Sequence, residues 1–330
     1  MNDIEVIRAE AVLPSLARVD APTSKPIRVA LVQHEWTADG GALEAWLDAA
    51  LGRAAAEGAR AVFLPELTLS RYPADRLPDH APAVDAEPDD GRSYRFAAAA
   101  AERYGVYVHI SFFRTASEAA PRGLNTSIVV APDGQVVGMT NKLHIPVTAG
   151  YFEDHYFQPG PADGVRGGGP YPVYDLDGID GAHLGLPTCW DEWFPEVARA
   201  YGLNGANIVV YPTAIGSEPD HPDFDTEPLW RQVIVGHGIT NGLFMIVPNR
   251  TGSEQRPDGT PGNTFYGSSF ISDPYGRIVV RAPRDRPAVL VADLDLAQSK
   301  DWIELFPFFA TRRPDTYARL VEPVASSADR

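Results

Sequence analysis

Only one cysteine, Cys189, stands among 330 residues, so no internal disulfide can form and the thiol stays free for chemistry. That scarcity fits a reducing compartment. Long apolar runs are missing too; none approaches the roughly 18 residues a membrane span needs, so no membrane association is expected. The opening MNDIEVIRAEAVLPSL lacks the basic stretch and apolar centre of a secretory signal, and a cytoplasmic protein is expected. Positive charge is in deficit, with 28 Lys and Arg against 44 Asp and Glu and a net charge of −16. A nucleic-acid partner is therefore not expected, whereas a cationic small molecule, or solubility alone, would suit the balance. There is no HExxH, no paired-cysteine spacing, no phosphate-loop pattern and no GxSxG elbow, and GVRGGGP does not join a strand to a helix as a dinucleotide loop must. No metal or organic cofactor is expected. DHPDFD could hold a cation but reads more simply as a solvated acidic loop, and NTS at Asn125 reads as an accidental sequon.

What is present is an ordinary globular balance, 44% hydrophobic and 22% charged, with enough residues for a sizeable core. Strand-like and helix-like runs alternate from residue 27 onward. IRVALVQHEW predicts a strand, GALEAWLDAALGRAAAEG a helix closed by glycine, and ARAVFLPEL a buried strand. RSYRFAAAAAERYG predicts a helix, VYVHISFF a strand, and NTSIVVAPDGQVVGMTNKLHI a hairpin turning at PDG. AHLGLPTC, DEWFPEVARAYGLNGA and NIVVYPTA form a strand–helix–strand unit. LWRQVIVGHGITNG is a further helix and LFMIVPNRTG a strand; TFYGSSFISDPYGRIVV is a hairpin turning at DPYG, and AVLVADLDL is the last strand. PGPADGVRGGGPYP, EPDHPDFDTEP and TGSEQRPDGTPGN read as loops. The alternation predicts an α/β fold of mixed sheets covered by helices, in one domain over 26–330, with residues 1–25 as a loosely packed N-terminal extension.

Three residues at strand ends could carry chemistry. Cys189 follows an apolar strand and opens the turn into a helix, where N–H groups and the helix dipole favour a thiolate; a buried cysteine packing as a small hydrophobe is the alternative. Glu66, in VFLPELTLS, ends an apolar strand, where desolvation would raise its pKa and suit it to general-base work; a carboxylate capping the local loop is the alternative. Lys142 and His144, in TNKLHIP, also sit at a strand end, although a lone lysine is more often a solvated charge. Nothing local says that these ends converge.

Taken together, FLPEL, NKLHIP and TCWDEWFPEVARAYGLNGANIVVYPTAIGSEP resemble the nitrilase, or carbon–nitrogen hydrolase, superfamily, over roughly residues 27–322. GYFEDHYFQPG, NTFYGSSFISDPYG and FFATRRPDTY are similar to its N-carbamoylputrescine amidase and N-carbamoyl amidohydrolase branch. The resemblance implies a four-layer αββα sandwich with two mixed β-sheets, and a homodimer or larger assembly through helical faces. It implies Glu66 as general base, Lys142 as electrostatic stabiliser, Cys189 as nucleophile and Glu153 as a second glutamate orienting the lysine. Trp190, Glu192, Trp193, His144 and Thr213 are the expected substrate-binding residues, and Asp191 reads as shared framework.

The implied reaction is cysteine-dependent cleavage of a small amide or N-carbamoyl substrate. Relatives acting on N-carbamoyl amino acids commonly carry arginine just after the aspartate that follows the cysteine; here stand Glu192 and Trp193, which suit a cationic or neutral amine tail, with Glu192 paired to a protein cation and away from substrate as the alternative. An N-carbamoylputrescine-like amine is thus expected, with a β-ureidopropionate-type amino acid, an aliphatic amide or a nitrile as alternatives. Two departures from the branch, VTAGY at 147–151 and EPDHPDFDTEPLW at 218–230, border the expected pocket.

Overall fold

The computed structural model describes residues 4–19, 25–78, 86–117, 120, 122–165, 168–179, 181–221 and 223–323. Two sheets lie face to face. The first orders its seven strands β1 (Val6–Arg8), β15 (Ala288–Leu294), β2 (Ile27–Gln33), β3 (Ala61–Phe63), β4 (Tyr107–Arg114), β5 (Leu124–Val130) and β6 (Val136–Asn141). The second orders six strands β14 (Ile278–Arg281), β13 (Phe270–Ser272), β10 (Phe244–Val247), β9 (Ile208–Val210), β8 (His183–Gly185) and β7 (Val173–Asp175). Both mix parallel and antiparallel pairs: β2–β3–β4 and β8–β9–β10 are parallel, and the hairpins are antiparallel.

Strand parity explains the layering, because successive side chains point to opposite faces. In β2, Val29 and Leu31 enter the core between the sheets with Ile208 and Val210 of β9, while Ala30 and Val32 meet the helices. The outer face of the first sheet is covered by α1 (Gly40–Ala56) and α2 (Arg92–Tyr104), and that of the second by α3 (Pro195–Leu203) and α4 (Glu227–Asn241). The result is the αββα sandwich that the sequence led us to expect. Helix ends follow the glycine logic: Gly105 and Gly242 cap α2 and α4 in the left-handed region, at φ 67 and φ 66.

Three local expectations need correction. Residues 1–25 are not all an arm outside the sheets, since β1 pairs with β15 and extends the first sheet. Arg18 binds Asp295 at 2.8 Å and Gln298 donates to the Leu13 carbonyl at 2.7 Å, fixing this stretch to the start of α5 (Ala297–Leu305), a helix the periodicity did not show. Residues 1–3 and 20–24 lie outside the described residues. TGSEQRPDGTPGN is not a loop throughout: β11 (Thr251–Gln255) and β12 (Pro261–Tyr266) pair as a separate two-stranded ribbon. The helix expected from Asp191 is broken; Cys189–Trp193 forms a 3-10 turn, and α3 begins at Pro195, where proline fits the first helical turn. Among the described residues, no group of three His, Cys, Asp or Glu could hold a metal ion, and no helix is long and apolar enough to cross a membrane.

Candidate active site

Three chain reversals, after β3, β6 and β8, meet at the carboxyl ends of their strands, where α/β sheets open their crevices. The segment after β8 carries Cys189 at the head of the 3-10 turn. Cys189 has φ 41, in the left-handed region that a side chain disfavours, and the residue after Glu66, Leu67, has φ 49. Two of the three positive-φ non-glycine residues described thus border one site. The Cys189 N–H donates to the Pro212 carbonyl at 3.0 Å, which commits it. The next N–H, of Trp190, has no partner within its own turn, as is general for the first N–H groups of a helix.

Asp191 fastens this turn to the end of β6. Its Oδ2 accepts the Thr188 N–H at 3.0 Å, and its Oδ1 accepts the His144 N–H at 2.9 Å and lies 2.7 Å from His144 Nδ1. The His144 ring also stacks on Phe194, with centroids 3.8 Å apart. Lys142, two residues before His144, is thereby held in register with Cys189. The expected framework part of Asp191 has a geometric basis.

Lys142 is fully buried between two carboxylates: its Nζ donates to Glu66 Oε1 at 2.9 Å and to Glu153 Oε2 at 2.7 Å. Burial alone would lower the ammonium, but Glu153 and Glu66 outweigh it and hold Lys142 well above the ordinary lysine range. Burial likewise pushes the Glu153 carboxyl up, against the pull of Lys142, to about 7. Glu66 Oε1 takes a second donor, Asn125 Nδ2, at 2.7 Å, while Glu66 Oε2 is buried with no hydrogen-bond partner. One oxygen of Glu66 is therefore fixed and the other is available to a proton.

The thiol differs from its expectation. Burial, then the Glu66 charge, raises Cys189 well above the ordinary thiol range, with Lys142 opposing. The reason is structural: the turn is a short 3-10 segment with little dipole, and burial with the neighbouring carboxylates penalises a thiolate more than Lys142 favours it. This shift favours the thiol over the thiolate at Cys189.

Of the expected substrate-binding residues, Trp190 and Trp193 are half-buried beside the cysteine, their rings tilted at 53° with centroids 6.3 Å apart. Thr213 is buried, and its hydroxyl donates to the Pro248 carbonyl at 3.1 Å, so it brings an anchored strand end rather than a free hydroxyl. Glu192 is fully buried and forms no ion pair with a protein cation among the described residues. Burial, then the Glu66 charge, raises it well above the ordinary carboxylate range, while the Trp230 indole and Lys142 lower it. A carboxyl whose protonated form burial favours is thus held against α4, inside the electrostatic reach of Cys189.

Several residues of the site escaped the sequence reading. Asn125, taken as an accidental sequon, is buried against Glu66. Tyr72 donates its hydroxyl to Glu153 Oε1 at 2.8 Å. Arg250 and Glu254 lie beneath the Glu66 turn. Asn125 and Arg250 are polar residues inside or at the end of apolar strands, a signal that could have drawn attention to them. Gly216 has a local reason: a Cβ there would sit 1.9 Å from the Thr264 carbonyl, so only glycine lets β12 close over the site.

The carbon-nitrogen hydrolase family profile matches residues 28–304. A citrullinase of Francisella tularensis is 34% identical over 299 residues, covering 89% of this chain and 98% of the relative. An N-carbamoylputrescine amidase of Arabidopsis thaliana is 40% identical over 223 residues, covering 67% of this chain and 70% of the relative. A carbon-nitrogen hydrolase structure from Helicobacter pylori superposes with a TM-score of 0.78 at 27% identity, over 91% of this chain and 100% of that one. The chain belongs to the carbon–nitrogen hydrolase family of the nitrilase superfamily, whose reaction is hydrolysis of the C–N bond of amide and carbamoyl substrates.

Proposed function

We propose that the chain cleaves a primary N-carbamoyl alkylamine, H2N–CO–NH–R, with Cys189 as nucleophile, Glu66 as base and then acid, and Lys142 with Glu153 as the electrostatic frame. The observation that carries the reading is the asymmetry of Glu66, with Oε1 bound by Lys142 and Asn125 and Oε2 buried without a partner, its charge felt by the Cys189 thiol. Glu66 takes the Cys189 proton as sulfur attacks the carbamoyl carbon. The oxyanion forms against Lys142, which has one N–H left after its two carboxylate bonds, and against the Trp190 N–H. Such fixed donors each contribute roughly 10²–10³ in rate. Glu66 returns the proton to the departing nitrogen, releasing the amine R–NH2 and leaving a thiocarbamate, Cys189–S–CO–NH2. Water, deprotonated by the same carboxylate, then displaces the sulfur, which takes that proton from Glu66 and leaves as the thiol, and yields carbamic acid, which falls to carbon dioxide and ammonia.

The tail R is assigned to the side of Glu192. A buried carboxyl with no protein cation gains most from a cationic ligand, whose ammonium would ionise it and pair with it. That favours N-carbamoylputrescine, an amine like the one named for the Arabidopsis relative. Citrulline is the second reading, favoured by the Francisella relative that matches this chain over nearly its whole length; both molecules present the same carbamoyl end to Cys189. An ammonia-release screen over N-carbamoylputrescine, citrulline, N-carbamoyl-β-alanine, butylurea, linear amides and nitriles tests the assignment, and is expected to give the highest kcat/KM on a carbamoyl amine with a cationic tail. Preference for the tail-carboxylate compound N-carbamoyl-β-alanine would overturn it. In the same screen Glu192→Gln should raise KM for the cationic substrate roughly tenfold or more, the size of a charge-assisted hydrogen bond, and leave butylurea unchanged. Equal KM values for parent and variant on N-carbamoylputrescine would remove Glu192 from the tail site.

A further inference from the structure

Arg250 is among the largest fully buried side chains of the described residues. Its Nε and Nη2 donate to the Glu66 carbonyl at 3.2 and 3.0 Å; Nη2 also donates to the carbonyls of Leu67 at 2.5 Å and Ser70 at 2.7 Å. Nη1 pairs with Glu254. Glu254 Oε2 accepts the Tyr72 N–H at 2.8 Å, the Tyr72 hydroxyl donates to Glu153, and Glu153 and Glu66 share Lys142. The bonds close a circuit, Arg250–Glu254–Tyr72–Glu153–Lys142–Glu66, that returns to Arg250 through the Glu66 carbonyl.

This circuit has one weak point. Leu67 sits at φ 49, a conformation a leucine leaves unless its surroundings hold it. The Nε–Nη2 edge of the planar guanidinium, bonded to the carbonyls of residues 66, 67 and 70, holds it together with the Leu67 N–H bond to Ser111 Oγ, and a point-charge ammonium could not reproduce that edge. If Leu67 relaxed, the peptide after Glu66 would turn and carry the carboxylate with it, although Asn125 and Lys142 still bound Oε1. We propose that Arg250 is a positioning residue for the reaction: its fork clamps the strained 66–70 turn so that Glu66 Oε2 faces the Cys189 thiol. This rests on the reading of Glu66 as the base. Arg250 also fixes the floor through its neighbour, since Asn249 Oδ1 accepts the Ile215 N–H at 3.1 Å and joins the same strand end to the segment after β9.

The test compares Arg250→Lys and Arg250→Met with the parent and with Glu66→Gln, reading kcat and KM per active centre, the centres being counted by stoichiometric alkylation of Cys189 with iodoacetamide. The expected result for Arg250→Met is a loss of about a hundredfold in kcat, the size of an ångström-scale misplacement, with KM within about threefold. Arg250→Lys keeps the charge and should recover little of that loss. Should Arg250→Met fail to fold, Arg250→Lys decides alone. A folded Arg250→Lys or Arg250→Met with parental kcat per titrated centre, or losses that merely track the fraction of centres lost, would overturn the proposal. Glu66→Gln separates the two claims: if it retains activity the base assignment falls, whereas an inactive Glu66→Gln beside a fully active Arg250→Lys removes only the positioning role.

Discussion

Cys189→Ala should fold like the parent and release no measurable ammonia from any substrate of the screen, a loss on the order of 10⁵–10⁶-fold. Folding should survive because the backbone around residue 189 is held by other groups. Its N–H is bound to Pro212, and the Thr188–Asp191 and Asp191–His144 bonds stay in place when the sulfur goes. Removing one buried sulfur leaves only a small void, costing about 1 kcal/mol or less. Turnover has no such reserve, because Cys189 is the only cysteine of the chain and no other thiol can replace it. Ammonia release at even a thousandth of the parental rate, shown free of parental contamination, would mean that water attacks directly and that the thiol has another part.

Lys142→Met should damage both chemistry and stability. The ammonium neutralises two carboxylates buried at 0% and 1% side-chain exposure, so its loss leaves a pair of close, desolvated acids. Removing one partner of a buried pair costs about 3–5 kcal/mol, and under the proposed mechanism loss of the Lys142 oxyanion donor costs a further ~10²–10³ in rate. The stability deficit depends on pH with a definite sign. Glu153 already titrates near 7 in the folded chain against an ordinary 4.5, so it favours the folded state below pH 4.5 and loses that contribution as pH rises towards 7. Without Lys142 to lower it, Glu153 moves further up, and the loss with rising pH deepens. Urea melts of Lys142→Met should therefore show a deficit that is small near pH 5 and large near pH 8; a deficit independent of pH would show that the lysine does not balance these acids.

The sequence carried the fold where elements are long and regular. The parity of β2 and the caps of α2 and α4 are local patterns with direct structural meaning, as is the β5–β6 hairpin with its PDG turn. It failed where three-residue segments acquire their identity from a partner strand. VIR at 6–8 has no period of its own and becomes a strand because β15 offers an edge, and the β11–β12 ribbon hid behind its turn residues. The same split runs through the site. Glu66, Lys142 and Cys189 each stand at a strand end and could be singled out, but their convergence is a property of strand order rather than of any local motif. Asn125, Tyr72, Arg250 and Glu254 are harder to read for a related reason: each reaches the site through a bond to a residue dozens of positions away. The thiolate expectation at Cys189 failed because it rested on a helix dipole, while burial and a neighbouring carboxylate set the outcome.

The central claim is that the carbamoyl group passes through a bond to Cys189, and nucleophile partitioning tests it most directly. With hydroxylamine present, a thiocarbamate intermediate divides between water, giving ammonia and carbon dioxide, and hydroxylamine, giving hydroxyurea. Carbamoyl amines with different leaving groups R–NH2 share that intermediate, so the ratio of hydroxyurea to ammonia is predicted to be the same for every substrate at one hydroxylamine concentration. A ratio that changes with the leaving amine would contradict a common Cys189 intermediate.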